Sequence, residues 1–232
     1  MATKGASTLG VNRYRYLLAS LVVLIVLEPW LHGPVGRVLL VAVFSAILLS
    51  AVWGLHTSRR GFVVGLALSL AALAGNWAGV FVESLPLLFV SRAVTVAFLG
   101  LVIWTLLGNI ARQTRIQPET IYQAACVYLI LGVIFALLYA SVSQIDPGAF
   151  SPIPAAGTAP DGADGGTKGA GLAKWVYFSF ITLTTVGYGD ITPITPAVRS
   201  LVIVEALIGQ FFVAVLVARL VGLLQTQLTT GE

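Results

Sequence analysis

Seven consecutive residues near the end of the chain have types and spacing that suit the binding of a dehydrated cation. Thr184 to Asp190 read Thr-Thr-Val-Gly-Tyr-Gly-Asp, and Gly187 and Gly189 alternate with larger side chains. Glycine readily adopts positive φ angles, and such angles at alternate positions let successive carbonyl groups point the same way. Stacked carbonyl oxygens can replace the hydration shell of a hard cation. The chemistry indicated is reversible ion coordination.

This segment resembles the selectivity filter of the tetrameric potassium channel family, in its six-span prokaryotic form with one pore loop per chain. The resemblance implies that four chains surround one axis. It also implies that K⁺ is bound by backbone carbonyls and one threonine hydroxyl from Thr185, Val186, Gly187 and Tyr188. Related non-selective pores carry an acid in place of Tyr188, so the match is to the potassium-selective form. The alternative is an ordinary glycine turn between two apolar elements.

Two residues before the filter are candidates for supporting it. Asp190 lies thirteen residues after Tyr177 and could accept a hydrogen bond from its hydroxyl, as from an aromatic donor in related channels. Thr182 is a candidate partner for Glu205, an acid inside the last apolar segment. An intramembrane carboxylate is a functional-site candidate. We expect Glu205 to have a structural role behind the preceding short helix, hydrogen-bonded or protonated, with ion binding as the alternative.

The composition places these residues in a membrane. The chain is 58% hydrophobic and 9% charged, against roughly 45–50% and about 25% in soluble domains. Since backbone amides in lipid must be satisfied within each segment, apolar runs of this length favour a helical bundle over a barrel. We predict an all-α integral membrane protein with six transmembrane helices, at about residues 16–31, 35–55, 62–82, 86–110, 121–142 and 196–224.

A pore domain is predicted over residues 116–232. Its outer helix is followed by a segment rich in Gly, Pro and Ala at 143–173, which is typical of a flexible extracellular turret. Residues 174–184 are apolar but too short to cross, so they predict a re-entrant pore helix. The filter itself, 185–189, is expected to be non-helical. Non-helical backbone occurs within a membrane only where it is buried in protein or lines a water-filled path.

The expected inner helix, 196–224, contains four candidate gating residues. Gly209 lies nineteen residues after Asp190, which is the position of the hinge glycine in the family's inner helix. Close helix packing is the alternative interpretation of Gly209. Gln210, Val213 and Val217 are spaced by three and four residues and are candidates for one stripe facing an inner cavity. A mostly apolar cavity could gate by dewetting.

Ahead of the pore, the sequence predicts a cytoplasmic N-terminus at 1–15 and a four-helix domain at 16–115. Four helices before a two-helix pore resemble the layout of voltage-gated channels, whose fourth helix carries a basic residue at every third position. Here the fourth span has one, Arg92. A charge that crosses the whole field contributes about 2.3 kcal/mol per 100 mV. We therefore expect a voltage-sensor-like domain without an arginine ladder, and weak or no voltage dependence.

The first span has a signal peptide as its alternative interpretation, because basic residues precede it. Glu28-Pro29-Trp30 stands where a small-residue cleavage site would be, so we expect a retained helix. Lys and Arg are retained on the cytoplasmic side, and their distribution predicts both termini inside. The basic residues on that face would be Lys4, Arg13, Arg15, Arg59, Arg60, Arg112, Arg115 and Arg219.

The function predicted is passive conduction of K⁺ by a homotetramer in a plasma membrane, from resemblance a prokaryotic one. No cofactor beyond the permeant K⁺ is expected. A nucleic-acid partner is not expected, because basic and aromatic residues do not alternate on any soluble stretch. A regulatory ligand or subunit is left open. The alternatives are a non-conducting regulatory or assembly subunit on a channel scaffold, and an enzyme, which is disfavoured because no paired acid and base, metal cluster or Gly-x-Ser-x-Gly elbow is present.

Overall fold

The computed structural model describes residues 4–27, 30–31, 33–54, 59–82, 84–113, 118–151 and 170–229. Over these ranges the chain forms seven α-helices, which are α1 (Lys4–Leu27), α2 (Gly33–Gly54), α3 (Arg59–Phe81), α4 (Leu85–Arg112), α5 (Pro118–Ile145), α6 (Ala170–Leu183) and α7 (Pro196–Thr229). The β-structure of the described residues is one isolated antiparallel bridge between Phe150 and Pro193. The protein is therefore all-helical in the part described.

Four helices of the described chain are long and apolar enough to cross a membrane. Their candidate spans are Gly61–Phe81, Leu85–Arg112, Glu119–Ile145 and Pro196–Leu223. Shorter apolar stretches occupy Tyr14–Leu27, Val38–Val52 and Leu172–Leu183. The chain is a multi-pass membrane protein, and the count of six spans stays a prediction. The short third stretch lies in α6, which was expected to be re-entrant because of its length.

Several helix ends differ from the expected boundaries. α1 begins at Lys4, inside the segment 1–15 that was expected to be a tail, and α7 continues to Thr229 instead of 224. α5 runs to Ile145 and α6 begins at Ala170, so both ends of the predicted turret 143–173 are helical. Hydropathy marks the apolar part of a helix, whereas the hydrogen-bonded turns continue into polar residues that tolerate helix. The middle of the turret, 152–169, lies outside the described residues.

α5 is the element that the two halves of the molecule share. It packs against α1 and α4 on one side and against α6 and α7 on the other. Val127, Ile130 and Val133 of α5 belong to the larger apolar core with residues of α1 to α4. Tyr139 and Ala140 belong to a second core with α6 and the segment after it. Because α5 is buried on both sides, it holds α6 at a defined distance from the first four helices.

Candidate functional site

The backbone after α6 has an alternating conformation. Thr185, Gly187 and Gly189 have positive φ angles of 60°, 52° and 80°. They alternate with Val186 and Tyr188. The glycine pattern had indicated two of these positions, but Thr185 was not anticipated, because a non-glycine residue rarely adopts φ above zero. Such a residue costs on the order of 1–3 kcal/mol and persists only where its surroundings hold it.

Backbone amides at the start of this segment turn back into the end of α6. The bonds run from Thr185 N to the Thr182 carbonyl (2.9 Å), from Val186 N to the Ile181 carbonyl (2.9 Å) and from Gly187 N to the Ile181 carbonyl (3.1 Å). They satisfy carbonyls that a helix end otherwise leaves without partners. The carbonyl oxygens of residues 184–188 accept no hydrogen bond from any described residue. These oxygens are therefore free to bind an ion.

Tyr177 and Asp190 interact at the far end of the segment, as their spacing had suggested. The pKa of Tyr177 is raised to about 12, chiefly by its side-chain hydrogen bond with Asp190 and then by burial. Asp190 Oδ1 also accepts a bond of 3.1 Å from the backbone amide of Ile191. The carboxylate thus links the end of the segment to α6, which itself is too short to cross the membrane.

Glu205 of α7 is completely buried and joins three helices. Its Oε2 accepts a hydrogen bond of 2.5 Å from the Tyr139 hydroxyl of α5, and its Oε1 lies 2.5 Å from Ser179 Oγ of α6. Ser179 Oγ also lies 2.8 Å from the Gly132 carbonyl oxygen of α5. The hydroxyls of Tyr139 and Ser179 supply two protons for these three contacts. A proton on the Glu205 carboxyl supplies the third, so that Glu205 donates to Ser179 and Ser179 donates to the Gly132 carbonyl oxygen.

The expected partner of Glu205 was wrong. Thr182 instead donates to the Phe178 carbonyl of its own helix at 2.8 Å. Ser179 lies one turn earlier on α6, and the sequence held no signal to distinguish the two hydroxyls, because the choice depends on how α6 is rotated against α7. The structural role expected for this carboxyl agrees with its contacts.

An aromatic cluster that sequence reasoning missed packs α6 against α5. Ring centroids lie 4.4 Å apart for Phe150 and Trp175, 5.0 Å for Tyr139 and Phe178, and 5.6 Å for Phe150 and Phe178. Such offset and edge-to-face pairs stabilise a core beyond their buried area. The Trp-Val-Tyr-Phe sequence that begins at Trp175 was the available signal, because large aromatic side chains on a short helix need a partner surface.

The segment after the filter is tied to the chain that follows α5. Ser151 N donates to the Thr192 carbonyl at 2.8 Å, and Ile194 N donates to the Ala149 carbonyl at 2.9 Å. The Thr192 hydroxyl donates to Ser151 Oγ at 2.8 Å. These bonds hold the return path from residue 190 to α7 against the residues that follow α5.

Two of the four gating candidates contact the filter region. Gln210 Nε2 lies 3.4 Å from the Thr185 hydroxyl oxygen, at the inner end of the filter. A Cβ added to Gly209 would lie 2.7 Å from the Leu183 carbonyl oxygen, so this glycine allows α7 to approach the end of α6 closely. That geometry supports the packing interpretation of Gly209. Val213 and Val217 are 43% and 52% exposed within the single chain.

Arg219, which was expected to lie on the cytoplasmic face, also makes a contact with the end of α4. Its Nη2 donates to the carbonyls of Ala111 at 2.9 Å and Gln113 at 3.1 Å. These carbonyls lie at the end of α4, where a helix leaves acceptors without partners. The far end of α7 is thereby attached to α4.

Known proteins resemble part of the chain. A family model described as "Ion channel" matches residues 125–226, which run from α5 through the filter into α7. Protein LctB of Bacillus caldotenax is 32% identical over 133 residues, covering 54% of this chain and 93% of that protein. Protein LctB of Geobacillus stearothermophilus is 32% identical over 135 residues, with the same coverage. The chain belongs to the family of these LctB proteins, and its residues 125–226 match the ion channel model.

A shorter match is to a protein named as a potassium channel. Two pore potassium channel c of Oryza sativa subsp. japonica is 47% identical over 51 residues, which is 22% of this chain and 11% of that protein. No solved structure matches. The match of residues 125–226 to an ion channel model indicates a protein of the transporter type.

Proposed function

We propose that the channel is potassium-selective and conducts K⁺ passively through a homotetrameric pore. The observation that carries the proposal is the backbone of residues 184–190. Positive φ angles at alternate residues, amides turned into α6 and unbonded carbonyls support one row of oxygen ligands per chain. K⁺ would bind the carbonyls of Thr185, Val186, Gly187 and Tyr188 and the hydroxyl of Thr185.

One row of carbonyls cannot surround an ion, and the single chain leaves apolar surface beside it uncovered. Val186 is 51% exposed and Tyr188 is 72% exposed. On α7, Phe211 and Val215 are 65% and 64% exposed. Neighbouring copies around one axis would cover part of this surface and complete the oxygen cage, and the resemblance to potassium channels supports four copies.

Selectivity for K⁺ is supported by three features. Tyr188 stands where related non-selective pores carry an acid, and the potassium channel of Oryza sativa matches part of this chain. The free ligands are carbonyl oxygens, which suit a hard monovalent cation. No cofactor beyond the permeant ion and no nucleic acid enters the proposal, and a regulatory ligand or subunit is left open.

The proposed setting is a bacterial plasma membrane with both termini in the cytoplasm. The distribution of Lys and Arg supports this orientation, and the LctB relatives from Bacillus and Geobacillus support a bacterial host. The basic residues of α4 are limited to Arg92 and to Arg112 in its last turn, and a single charge within the helix supports weak or no voltage dependence.

The test is the reversal potential of purified protein in planar bilayers with K⁺ on one side and Na⁺ on the other. We expect reversal close to the potassium equilibrium potential, and a tetramer by native mass in detergent. Reversal near zero would contradict potassium selectivity. A non-tetrameric mass together with reproducible silence would contradict the pore and favour the non-conducting subunit.

A further inference from the structure

A cavity in the first half of the molecule contains an arginine that lacks an acidic partner. The cavity is lined by α1 to α5 and by Leu172 of α6, and it has a volume of about 190 Å³. Arg92 of α4 is half-buried in its wall. In the described part of the chain, its hydrogen bonding is limited to one long contact, 3.5 Å from Nη1 to Ser141 Oγ. No described carboxylate pairs with it.

An unpaired guanidinium is costly at this position. Arg92 lies seven residues into α4, or about 10 Å along the helix from Leu85 at 1.5 Å per residue. An ionisable residue inside a membrane segment almost always faces a cavity and pairs with an opposite charge or with backbone carbonyls. Arginine has five N–H donors in a planar fork that matches the oxygens of a phosphate. The guanidinium therefore has N–H donors available for an oxyanion, and no described carboxylate supplies one.

The other cavity residues divide into apolar and polar groups. Aliphatic and aromatic side chains include Leu24, Leu40, Phe44, Val80, Leu88 and Leu137. The hydroxyls of Ser91 and Thr95 are already bonded to carbonyls of their own helix, at 3.0 and 2.8 Å. The amides of Asn76 and Gln144 make no hydrogen bond with any described residue and remain available beside Arg92. A ligand with one charged oxygen group and an apolar chain would contact both the polar and the apolar side chains of the cavity.

We propose that this cavity binds the phosphate head group of an acidic phospholipid, with the phosphate on Arg92 and an acyl chain along the aliphatic wall. A lipid is favoured over a free anion because only an amphiphile uses the apolar side chains, and because the surrounding bilayer supplies it. The bound phosphate neutralises the charge of α4 and joins α4 to α3 through Asn76 and to α5 through Gln144. The inference is independent of ion selectivity.

Gly79 of α3 and Gly100 of α4 provide a test in which the cavity is filled while Arg92 is unchanged. Gly79 lines the cavity, and a Cβ built there meets nothing within 4 Å. Gly79→Leu would place a side chain in the space that the lipid chain is proposed to occupy. Gly100 on α4 is equally open but does not line the cavity, so Gly100→Leu is its matched control. Arg112→Gln, at the exposed end of α4, is the control for loss of charge.

The experiment measures lipid binding to the full-length protein by native mass spectrometry in detergent, with phosphatidylglycerol or phosphatidylcholine added. We expect Arg92→Gln and Gly79→Leu each to weaken phosphatidylglycerol binding at least fivefold, with Gly100→Leu and Arg112→Gln like the wild type. Phosphatidylcholine binding should not distinguish the variants. A thermal melt of each variant confirms that it is folded, and Arg92→Lys, which keeps the charge, should retain part of the binding.

Three results would overturn the proposal. Equal phosphatidylglycerol binding by the wild type and both cavity variants would show that the lipid binds elsewhere. Loss in Arg92→Gln with no loss in Gly79→Leu would show a surface charge effect without use of the cavity. Inorganic phosphate that displaces phosphatidylglycerol completely at millimolar concentration would show a free-anion site instead of a lipid site.

Discussion

The pore half, α5 to α7, and the first four helices are both apolar bundles, but they use polar side chains differently. In the pore half, side-chain hydrogen bonds cross between helices, as Tyr139 and Ser179 do to Glu205. In α1 to α4 most described serine hydroxyls bond carbonyls of their own helix, as the hydroxyls of Ser20, Ser45, Ser50, Ser69 and Ser91 do. A bond within one helix does not specify how that helix is placed against its neighbour.

The difference follows from what each half has to position. A coordination site requires its ligands to be held within about 0.5 Å by neighbouring bonds. Apolar packing and close contacts of small residues, such as Gly75 against Ser91, are enough to hold α3 on α4. Buried side-chain bonds that cross between helices join α5, α6 and α7 around Glu205, whereas the bond from Trp77 of α3 to Ser45 of α2 is exposed.

The largest effect is expected from Gly187→Ala in the pore half. An added Cβ has open space at this position, but the φ of 52° is unfavourable for alanine, by about 1–2 kcal/mol per residue. We expect loss of potassium selectivity in the bilayer reversal assay. Gly108→Ala in α4 is the matched control, because its Cβ is equally open and its φ is not positive. A selective Gly187→Ala channel would contradict the importance of this backbone conformation.

Substitution of Glu205 is expected to have the next largest effect. Glu205→Ala removes the shared partner of two buried hydroxyls and leaves a cavity, which should lower the free energy of unfolding by about 3 kcal/mol. Glu205→Gln reproduces the protonated acid, with an oxygen for Tyr139 and an N–H for Ser179, and should remain within about 1 kcal/mol of wild type. The measurement is unfolding of the purified protein in detergent. If Gln were as damaging as Ala, the protonated arrangement would be wrong.

A pair of serine substitutions compares the two halves directly. Ser179 and Ser69 are both fully buried, but the first bonds across helices and the second bonds the Leu66 carbonyl of its own helix. Ser179→Ala should cost about 2 kcal/mol, because a buried oxygen loses its partner, and Ser69→Ala should cost under about 0.5 kcal/mol. Thermal unfolding of both variants provides the measurement. Equal costs would remove the proposed difference between the halves.

The smallest effect is expected from Tyr177→Phe, which removes one partly exposed hydrogen bond to Asp190. We expect a folded protein with a several-fold faster loss of current during sustained conduction, in line with a bond of about 1 kcal/mol. Since the pKa of Tyr177 is raised to about 12, the bond contributes fully below the ordinary tyrosine pKa of about 10 and is lost as pH rises toward 12. Titration of Tyr177 should therefore not change the rate of current loss of the wild type between about pH 6 and 9. Current that decays equally in both proteins would exclude this restraint.

Much of the fold and part of the candidate site could be predicted from sequence. Apolar runs indicated the helices, and the glycine spacing drew attention to residues 184–190, where two of the three positive φ angles occur at Gly187 and Gly189. The Tyr177 contact with Asp190 was also suggested by spacing. The choice of Ser179 over Thr182 as partner of Glu205 could not be predicted. Both hydroxyls are on α6, and only its rotation against α7 decides between them.

By itself the sequence determined that this is an all-helical membrane protein, since composition and the length of apolar runs set the solvent and the backbone hydrogen bonding of each segment. Tertiary structure decided which side chains meet across helices. Glu205 meets Tyr139 and Ser179, and Arg92 lies in a cavity without a described acidic partner. The physical reason is that helical periodicity specifies neighbours three or four residues apart. Contacts between distant segments depend on the tilt and rotation of whole helices, which are set by packing around α5.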